Sequence, residues 1–369
     1  MSGAEYPIEE PVRRDVRGVM DVRRCIVVGC GGRGGYWTNQ VLAAMSDEVE
    51  VAGLVDIEQE ALRKGAETHD LPESALFSDA EEAMDTVEAE FTLIATPPWV
   101  HEENVASACE HGLAVLMEKP IADTLDASVR IMKMVERAEL PCTIVQNYRY
   151  SPFMLAFQGA VENEDVGRLS YVTARFAADY NPPKSWGRRF RHEMDHALLI
   201  EGSVHHFDMI RNISGRDCEE IFGYGWIPAW ADFEGNSNGL YVMKLTDGAF
   251  AAYEGSCTTE GHENPWHHEY YRAECEEGAV VVGADCIVKI VRVDGRDEIV
   301  TQPPDVPEPG EAILQEFLQY LATGTPSPTA IRDNIKSVGM VFAAIECDRT
   351  GRPVNVEELL AEAEERVSV

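Results

Sequence analysis

The feature that most constrains this sequence is a glycine-rich segment between a strand-like run and a helical one. Residues 29–34 read Gly-Cys-Gly-Gly-Arg-Gly, directly after the apolar run Cys25–Val28 and directly before a helical pattern. In this setting a G-x-G-x-x-G motif is typical of a turn that delivers a pyrophosphate to a helix N-terminus. Gly29 would then allow the tight turn, Gly31 the approach of the phosphates and Gly34 close helix packing. The motif predicts dinucleotide binding.

A carboxylate at the end of the next strand-like run supports this prediction. Asp56 lies 22 residues beyond Gly34, close to the spacing of about 20 residues at which an acid accepts hydrogen bonds from the adenosine ribose. The same carboxylate would repel a ribose 2′-phosphate, and the following residue, Ile57, is not basic. The sequence therefore predicts NAD, with NADP possible because Arg33 and Arg63 could favour it.

The organisation of the chain predicts two domains after an N-terminal arm. Strand-like and helical runs alternate up to residue 146, as in a doubly wound parallel sheet of the Rossmann type. After residue 147 long alternating runs dominate, with one convincing internal helix around Val204–Ile213, which predicts an α+β domain with an open-faced, mostly antiparallel sheet. The predicted units are a disordered arm or upstream extension (1–21), a Rossmann domain (22–146), an α+β substrate and oligomerisation domain whose last helices return to the Rossmann domain (147–355), and a C-terminal tail (356–369).

Charge excludes some partners. The chain has 65 Asp+Glu against 31 Lys+Arg, a net charge of −34, and only 7 of those cations are Lys. Such a surface repels nucleic acid and anionic lipid, so neither is expected as a partner. Acidity with scarce Lys is typical of proteins that work in concentrated salt, where repulsion is screened, so we expect a halophilic source. Nine cysteines without a C-x-x-C pair predict a reducing compartment, the cytoplasm.

Four further motifs together resemble one known family. They are Ala95-Thr96-Pro97-Pro98 with His101, Glu118-Lys119-Pro120, Asn147-Tyr148-Arg149, and Glu201 through His205 to Asp208. In combination they resemble the glucose-fructose oxidoreductase and inositol dehydrogenase family (Gfo/Idh/MocA) over roughly residues 22 to 355. The last motif departs from the family form D-x-G-x-H-x-x-D, since Glu201 and Ser203 replace Asp and Gly. Whether the Lys119–Pro120 bond is cis, as in some members, stays open in the sequence.

The resemblance implies hydride transfer between nicotinamide and a secondary alcohol or lactol carbon of a sugar, polyol or derivative. Such chemistry needs a neutral base for the hydroxyl proton and a cation near the developing alkoxide. His205 and Lys119 suit these tasks, and Lys119 ends a predicted parallel strand, where ligands bind. Because Glu201 and His205 are four residues apart at a helix start, the carboxylate is predicted to orient or charge-stabilise the imidazole.

The remaining site residues fall into two predicted groups. The predicted cofactor contacts are Gly29, Gly31, Arg33, Gly34, Asp56, Thr96, Pro97, His101 and Glu118. The predicted substrate contacts are Arg149, Trp186, His192 and Asp208. No metal is predicted, and the resemblance implies a homo-oligomer, a dimer or a tetramer.

Three other functions remain open in the sequence. Residues 192–196 read His-Glu-Met-Asp-His, which fits H-E-x-x-H, the zinc-hydrolase helix with two His one turn apart. The fold also serves non-catalytic sugar sensors, although the presence of both Lys119 and His205 argues against that function. Within the family, an NAD-dependent glycosidase that oxidises and re-reduces its substrate is a further alternative.

Overall fold

The N-terminal half of the chain forms a parallel sheet. The computed structural model describes residues 22–162, 166–182, 186, 189–261 and 264–367, so the predicted arm 1–21 lies outside the described residues. The sheet consists of β1 (Arg23–Val28), β2 (Val49–Val55), β3 (Leu76–Phe77), β4 (Phe91–Ile94), β5 (Ala114–Glu118) and β6 (Cys142–Val145). Its order is β3-β2-β1-β4-β5-β6 with every pairing parallel. This order is that of a doubly wound sheet, whose ligands bind beyond the carboxyl ends of β1 and β4.

Amphipathic helices cover this sheet. They are α1 (Gly32–Tyr36), a π-helical segment (Trp37–Val41) that continues into α2 (Leu42–Ala44), α3 (Gln59–His69), α4 (Ala80–Thr86), α5 (His101–Glu110) and α6 (Leu125–Arg137), with short 3₁₀ turns at Glu73–Ala75, Pro98–Val100 and Asn147–Tyr150. In α6, Leu125, Val129 and Met132 are buried at helical spacing. The Thr124 hydroxyl accepts from the N–H of Ala127, which satisfies one free donor of the first turn.

The second half of the chain builds a larger, mostly antiparallel sheet. Its strands are β7 (Leu169–Ala177), β8 (Cys218–Trp226), β9 (Asn238–Leu245), β10 (Phe250–Ser256), β11 (Tyr270–Cys275), β12 (Gly278–Val282), β13 (Lys289–Val291), β14 (Glu298–Ile299) and β15 (Val354–Asn355). Their order is β14-β13-β12-β11-β7-β10-β9-β8-β15. Along β9, Tyr241 and Met243 are buried whereas Leu240 and Val242 are exposed. One face is therefore open, and the predicted fold class is confirmed.

Helices of the second half fill the buried side of this sheet and return to the first. They are α7 (Pro152–Glu162), α8 (Phe190–Glu193), a π-helical segment (Leu198–Ser203) that continues into α9 (Val204–Ser214), α10 (Pro309–Thr323), α11 (Ile331–Thr350) and α12 (Val356–Arg366), with a 3₁₀ turn at Thr246–Gly248. The Phe317 ring on α10 packs edge-on against Phe91 of β4 at 5.2 Å. The chain thus crosses back to the parallel sheet.

Three helices of the second half were not predicted, namely α7, the four-residue α8 and α12. α7 was missed because it is strongly apolar, with Met154, Ala156 and Phe157 all buried, so it lacks a clear polar face. The predicted tail is wrong, since residues 356–366 form α12. The Asn355 side chain accepts from the N–H of Glu358 and caps this helix. That cap is visible in the sequence as Asn followed by Glu three residues later.

Candidate active site

The glycine loop lies at the switch point of the parallel sheet. Gly29 has φ +90° and a Cβ there would lie 2.8 Å from the carbonyl oxygen of Ala95. A Cβ on Gly34 would lie 1.8 Å from the carbonyl oxygen of Gly29, so both positions exclude a side chain. Asp56 Oδ2 accepts from the N–H groups of Cys30 at 2.6 Å and Gly31 at 3.0 Å. The predicted carboxylate therefore lies at the loop and fixes its backbone.

The loop leaves room and donors for phosphates. Helix α1 begins after Gly31, which supplies no side-chain cap, so its first N–H groups have no side-chain acceptor among the described residues. A Cβ added at Gly32 would meet nothing within 4 Å. An uncapped helix N-terminus beside open space fits the pyrophosphate of a dinucleotide.

The loops after β4 and β5 are joined by a buried histidine. His101 is fully buried, with Nε2 2.9 Å from the carbonyl oxygen of Thr96 and Nδ1 3.1 Å from that of Pro120. The prediction that His101 contacts the cofactor is therefore wrong, because its ring has no free surface. It positions both loops instead. Thr96 and Pro97 remain accessible at the same edge of the sheet.

Glu118 and Lys119 end β5 at this edge. Glu118 Oε1 accepts from Arg33 Nε and Trp37 Nε1, both at 2.8 Å, so two predicted cofactor residues form an ion pair with each other. The Lys119–Pro120 peptide bond, left open by the sequence, is cis. Lys119 Nζ donates to the carbonyl oxygen of Glu201 at 2.9 Å. The catalytic candidate from the first domain thus reaches the second.

Glu201 neutralises two cations. Its Oε2 lies 3.5 Å from Lys119 Nζ and 2.9 Å from Arg191 Nε, and its side chain is 4% exposed. Burial raises the pKa of this carboxyl, but the charges of Lys119 and Arg191 outweigh it and hold the pKa below its ordinary value. Glu201 therefore remains ionised.

The prediction that Glu201 orients His205 is wrong. Residues 198–203 are π-helical, so Glu201 and His205 do not have the four-residue spacing of one α-helical face. His205 Nδ1 instead lies 3.0 Å from Oε1 of Gln146. Nε2 of His205 has no hydrogen-bond partner among the described residues. The imidazole is held on one side only.

The His205 ring is enclosed by aromatic groups and cations. It stacks on Tyr148 at 4.6 Å. Its pKa is well below the ordinary histidine value, because burial disfavours the imidazolium and the ammonium of Lys119 repels it, with smaller contributions from His206 and His267. His205 is therefore neutral at pH 7.

Three of the four residues that were predicted to contact the substrate contact other protein groups in the structure. Arg149 makes a two-pronged ion pair with Asp208, at 2.7 Å from Nε and 2.6 Å from Nη2. Asp208 is 1% exposed and also accepts from Ser337. His192 is fully buried and stacks on Phe233 at 4.4 Å. Asp208 and His192 are therefore too buried to contact a substrate, and their assignment to it is wrong, whereas a substrate contact by Arg149 stays a prediction.

Trp186 is nearer to the site. It is 8% exposed, and its carbonyl oxygen accepts from Arg191, the residue that pairs with Glu201. Its ring lies 5.8 Å from that of Trp266. Trp186 thus belongs to an aromatic wall behind Glu201, and a substrate contact by it stays a prediction.

The zinc-hydrolase motif does not form the helix it needs. Helix α8 ends at Glu193, and Met194 is extended with φ −75° and ψ 139°. His192 and His196 are therefore not one helical turn apart on one helix, the geometry in which two imidazoles bind zinc. His192 Nε2 lies 2.9 Å from the carbonyl oxygen of Tyr180 instead.

A buried acid behind the site was missed by sequence reasoning. Glu269 is 2% exposed and its Oε1 accepts from the hydroxyl of Tyr148 at 2.7 Å and the N–H of His267 at 3.1 Å. Gln146, Arg191, His267 and Trp266 were missed as well. The only available signal was position for Gln146, which directly follows β6 at the ligand-binding edge.

The comparisons with known proteins agree with this geometry. Residues 23–146 match a family model described as an oxidoreductase family with an NAD-binding Rossmann fold, and residues 154–281 match the GFO/IDH/MocA C-terminal domain. The chain belongs to the Gfo/Idh/MocA family. It is therefore an oxidoreductase, and its first domain is an NAD-binding Rossmann domain, as predicted.

Individual relatives extend over most of the chain. An uncharacterised protein, y4oX, of Sinorhizobium fredii strain NGR234 is 36% identical over 344 residues, 90% of this chain and 95% of that protein. The scyllo-inositol 2-dehydrogenase (NAD(+)) of Bacillus subtilis strain 168 is 24% identical over 346 residues, 90% of this chain and 96% of the other. An oxidoreductase from Agrobacterium radiobacter, solved with NAD+, L-tartaric acid and magnesium, superimposes with a TM-score of 0.79 at 18% identity, covering 91% of this chain and 99% of that one. This last likeness concerns the fold.

In the described part of the chain, no helix has the length and apolar character needed to cross a membrane.

Proposed function

We propose that this Gfo/Idh/MocA protein is an NAD-dependent dehydrogenase that oxidises a secondary alcohol or lactol carbon of a sugar, polyol or derivative. The proposal rests on the positions of Lys119 and His205 near the carboxyl edge of the parallel sheet, the edge at which the glycine loop also lies. Lys119 is anchored by the carbonyl oxygen of Glu201, and the neutral ring of His205 is hydrogen-bonded only through Nδ1 among the described residues. Bound NAD supplies the acceptor for the hydride. The protein must then remove the hydroxyl proton and stabilise the oxygen.

His205 is suited to be the base. A neutral imidazole can accept a proton, and its Nε2 is the ring nitrogen without a protein partner in the described structure. Burial and the nearby ammonium lower its pKa, so it is ready as a base at neutral pH. The proton of the substrate hydroxyl passes to Nε2 as the carbon–oxygen double bond forms.

Lys119 is suited to stabilise the substrate oxygen. Its side chain is 14% exposed, and its ammonium donates to the carbonyl oxygen of Glu201. A fixed cation beside a hydroxyl favours the negative charge that develops as the proton leaves. Arg191 shares the carboxylate of Glu201, which keeps that carboxylate from drawing Lys119 away from the substrate.

The cofactor preference is proposed to be NAD rather than NADP. Asp56 holds the loop, and the neighbouring Ile57 is 82% exposed. A 2′-phosphate placed here would meet a carboxylate and an apolar side chain, neither of which stabilises its charge.

We further propose a homo-oligomer formed through the open face of the second sheet. This face exposes Tyr171, Tyr224, Leu240, Val242 and Phe250, between 41% and 61% of each side chain. Contiguous apolar surface of this kind marks an interface. Light scattering on the purified protein should give a dimer or a tetramer, and Val242→Glu should lower the mass. A wild-type monomer at micromolar concentration would contradict this part of the proposal.

The setting we propose is a reducing, salt-rich cytoplasm. All nine cysteines are free thiols, and those at Cys25, Cys142 and Cys257 are buried, where desolvation raises their pKa and makes them unreactive.

The test of function is a panel of polyols, aldoses and sugar acids assayed with NAD and with NADP in concentrated KCl. Wild-type protein should reduce NAD with at least one member of the panel. Lys119→Ala should remove most turnover but leave NAD binding intact, because the phosphates are bound at the glycine loop. Dinucleotide binding without turnover of any substrate would support a sensor, and bond cleavage in a glycoside without net NADH would support a glycosidase.

A further inference from the structure

We propose that Gln146 is the positioning residue that sets the tautomer and the proton affinity of His205. The inference rests on the proposed function of the site, and it assigns to a neutral amide the task that a carboxylate was expected to perform. Oε1 of Gln146 lies 3.0 Å from Nδ1 of His205. Gln146 is completely buried directly after β6, so its side chain is fixed by packing.

The amide determines where the histidine carries its proton. An amide oxygen only accepts hydrogen bonds, so its partner Nδ1 must carry a hydrogen. A neutral imidazole has one such hydrogen, which leaves the lone pair on Nε2. Nε2, which has no hydrogen-bond partner in the described part of the chain, is then the basic nitrogen, as proton removal from a hydroxyl requires.

An amide also differs from a carboxylate in charge. A carboxylate at Nδ1 would stabilise the imidazolium and raise the pKa of the histidine, whereas an amide lacks that effect. Several groups act on the imidazole from the surrounding elements: Lys119 after β5, Arg33 in α1, His206 in α9, His267 before β11 and Tyr148, which stacks on it. Glu201, the nearest carboxylate in the preceding π-helical segment, is bound by Lys119 and Arg191. The neutral partner therefore keeps His205 unprotonated in a site that holds cations.

The amide nitrogen of Gln146 also argues that this residue has a functional role. Nε2 of Gln146 is buried and has no hydrogen-bond partner among the described residues. Burying an N–H without a partner costs about 1–3 kcal/mol, so a glutamine that served only packing would be replaced by an apolar side chain at a gain.

The experiment is a nitrogen NMR titration of the histidines in the full-length protein, with the His205 signal identified by its loss in His205→Ala. Wild-type His205 should carry its hydrogen on Nδ1 and should titrate below pH 6.5. Gln146→Glu should raise this pKa by at least about one unit and move the acid limb of kcat/KM upward by the same amount. Gln146→Met should populate both tautomers and lower kcat more than it raises KM.

The control for the Gln146 variants is a substitution at a glutamine outside the site. Gln158→Met changes a half-buried glutamine on α7 that bonds Glu162 and Asn212, and it should alter neither the tautomer nor the pH profile. A wild-type hydrogen on Nε2 would overturn the inference, as would a pKa unchanged in Gln146→Glu. Because the titration needs no substrate, its result is separate from the panel assay, whose failure would contradict the proposed function alone.

Discussion

In the proposed mechanism, different residues at the carboxyl edge of the parallel sheet serve cofactor binding and proton transfer. Asp56 and the glycines lie at β1 and β2, whereas Lys119 and Gln146 follow β5 and β6. The sequence predicted Lys119 and His205 as residues of one site from their motifs, and in the structure the ammonium of Lys119 is near enough to lower the pKa of His205. It could not predict Gln146, because only the folded structure brings residues 146 and 205 together.

At Asp56 the prediction concerns cofactor choice. Asp56→Ser should raise the ratio of NADP to NAD use, measured as kcat/KM, by about tenfold or more, because the repulsion of a 2′-phosphate is removed while an oxygen acceptor for the loop remains. Glu58→Ser, which removes an exposed charge two residues away, is the control and should leave the ratio unchanged. Equal or better use of NADP by the wild-type protein would contradict the argument.

At the scale of secondary-structure elements, the structure shows why some predictions from residue patterns succeeded and others failed. Short apolar runs and helical spacing predicted five of the six strands and most helices of the first domain, because strands such as β4 and β5 are buried on both faces and helices such as α6 on one. The two-residue strand β3 is too short to give such a pattern. The π-helical segment at Leu198–Ser203 could not be predicted, since one extra residue per turn leaves no signature in a short apolar sequence. Glu201 lies in this segment and contacts Lys119, whereas His205 contacts Gln146.

Helix α12 provides a prediction at this scale. Ala363 is fully buried whereas Ala361 is exposed two positions earlier. Ala363→Asp should lower the free energy of unfolding by about 3 kcal/mol, as expected for an unpaired buried charge. Ala361→Asp should change it by less than about 0.5 kcal/mol. Equal effects in urea unfolding would show that the C-terminal segment is not packed as a helix.

The whole molecule carries a net charge of −34, and we expect this charge to make it depend on salt. Repulsion between carboxylates is screened as the Debye length falls to about 3 Å at 1 M salt. The midpoint of thermal unfolding and the activity should therefore rise from dilute buffer into molar KCl. Full stability and activity at low ionic strength would show that the acidity has another cause.

Buried histidines should limit stability in mild acid. Burial lowers the pKa of His101 and His205 in the folded protein, while the unfolded chain binds protons from about pH 6.5 downward. The unfolded state then holds more protons, so stability is full above pH 6.5 and falls below it, by roughly 1.4 kcal/mol per pH unit for each such site. Urea midpoints measured from pH 7.5 to 5 at constant salt test this, and a flat profile would contradict it.

The most direct test of the central claim is the pH dependence of kcat/KM for substrate oxidation, with His205→Ala measured in parallel. If a neutral His205 is the base, the wild-type value should be level from pH 8 down to 6.5 and fall only below that, and His205→Ala should lose about two to four decades. A wild-type acid limb at pH 7 or above, or a His205→Ala protein with near-normal oxidation, would contradict the account.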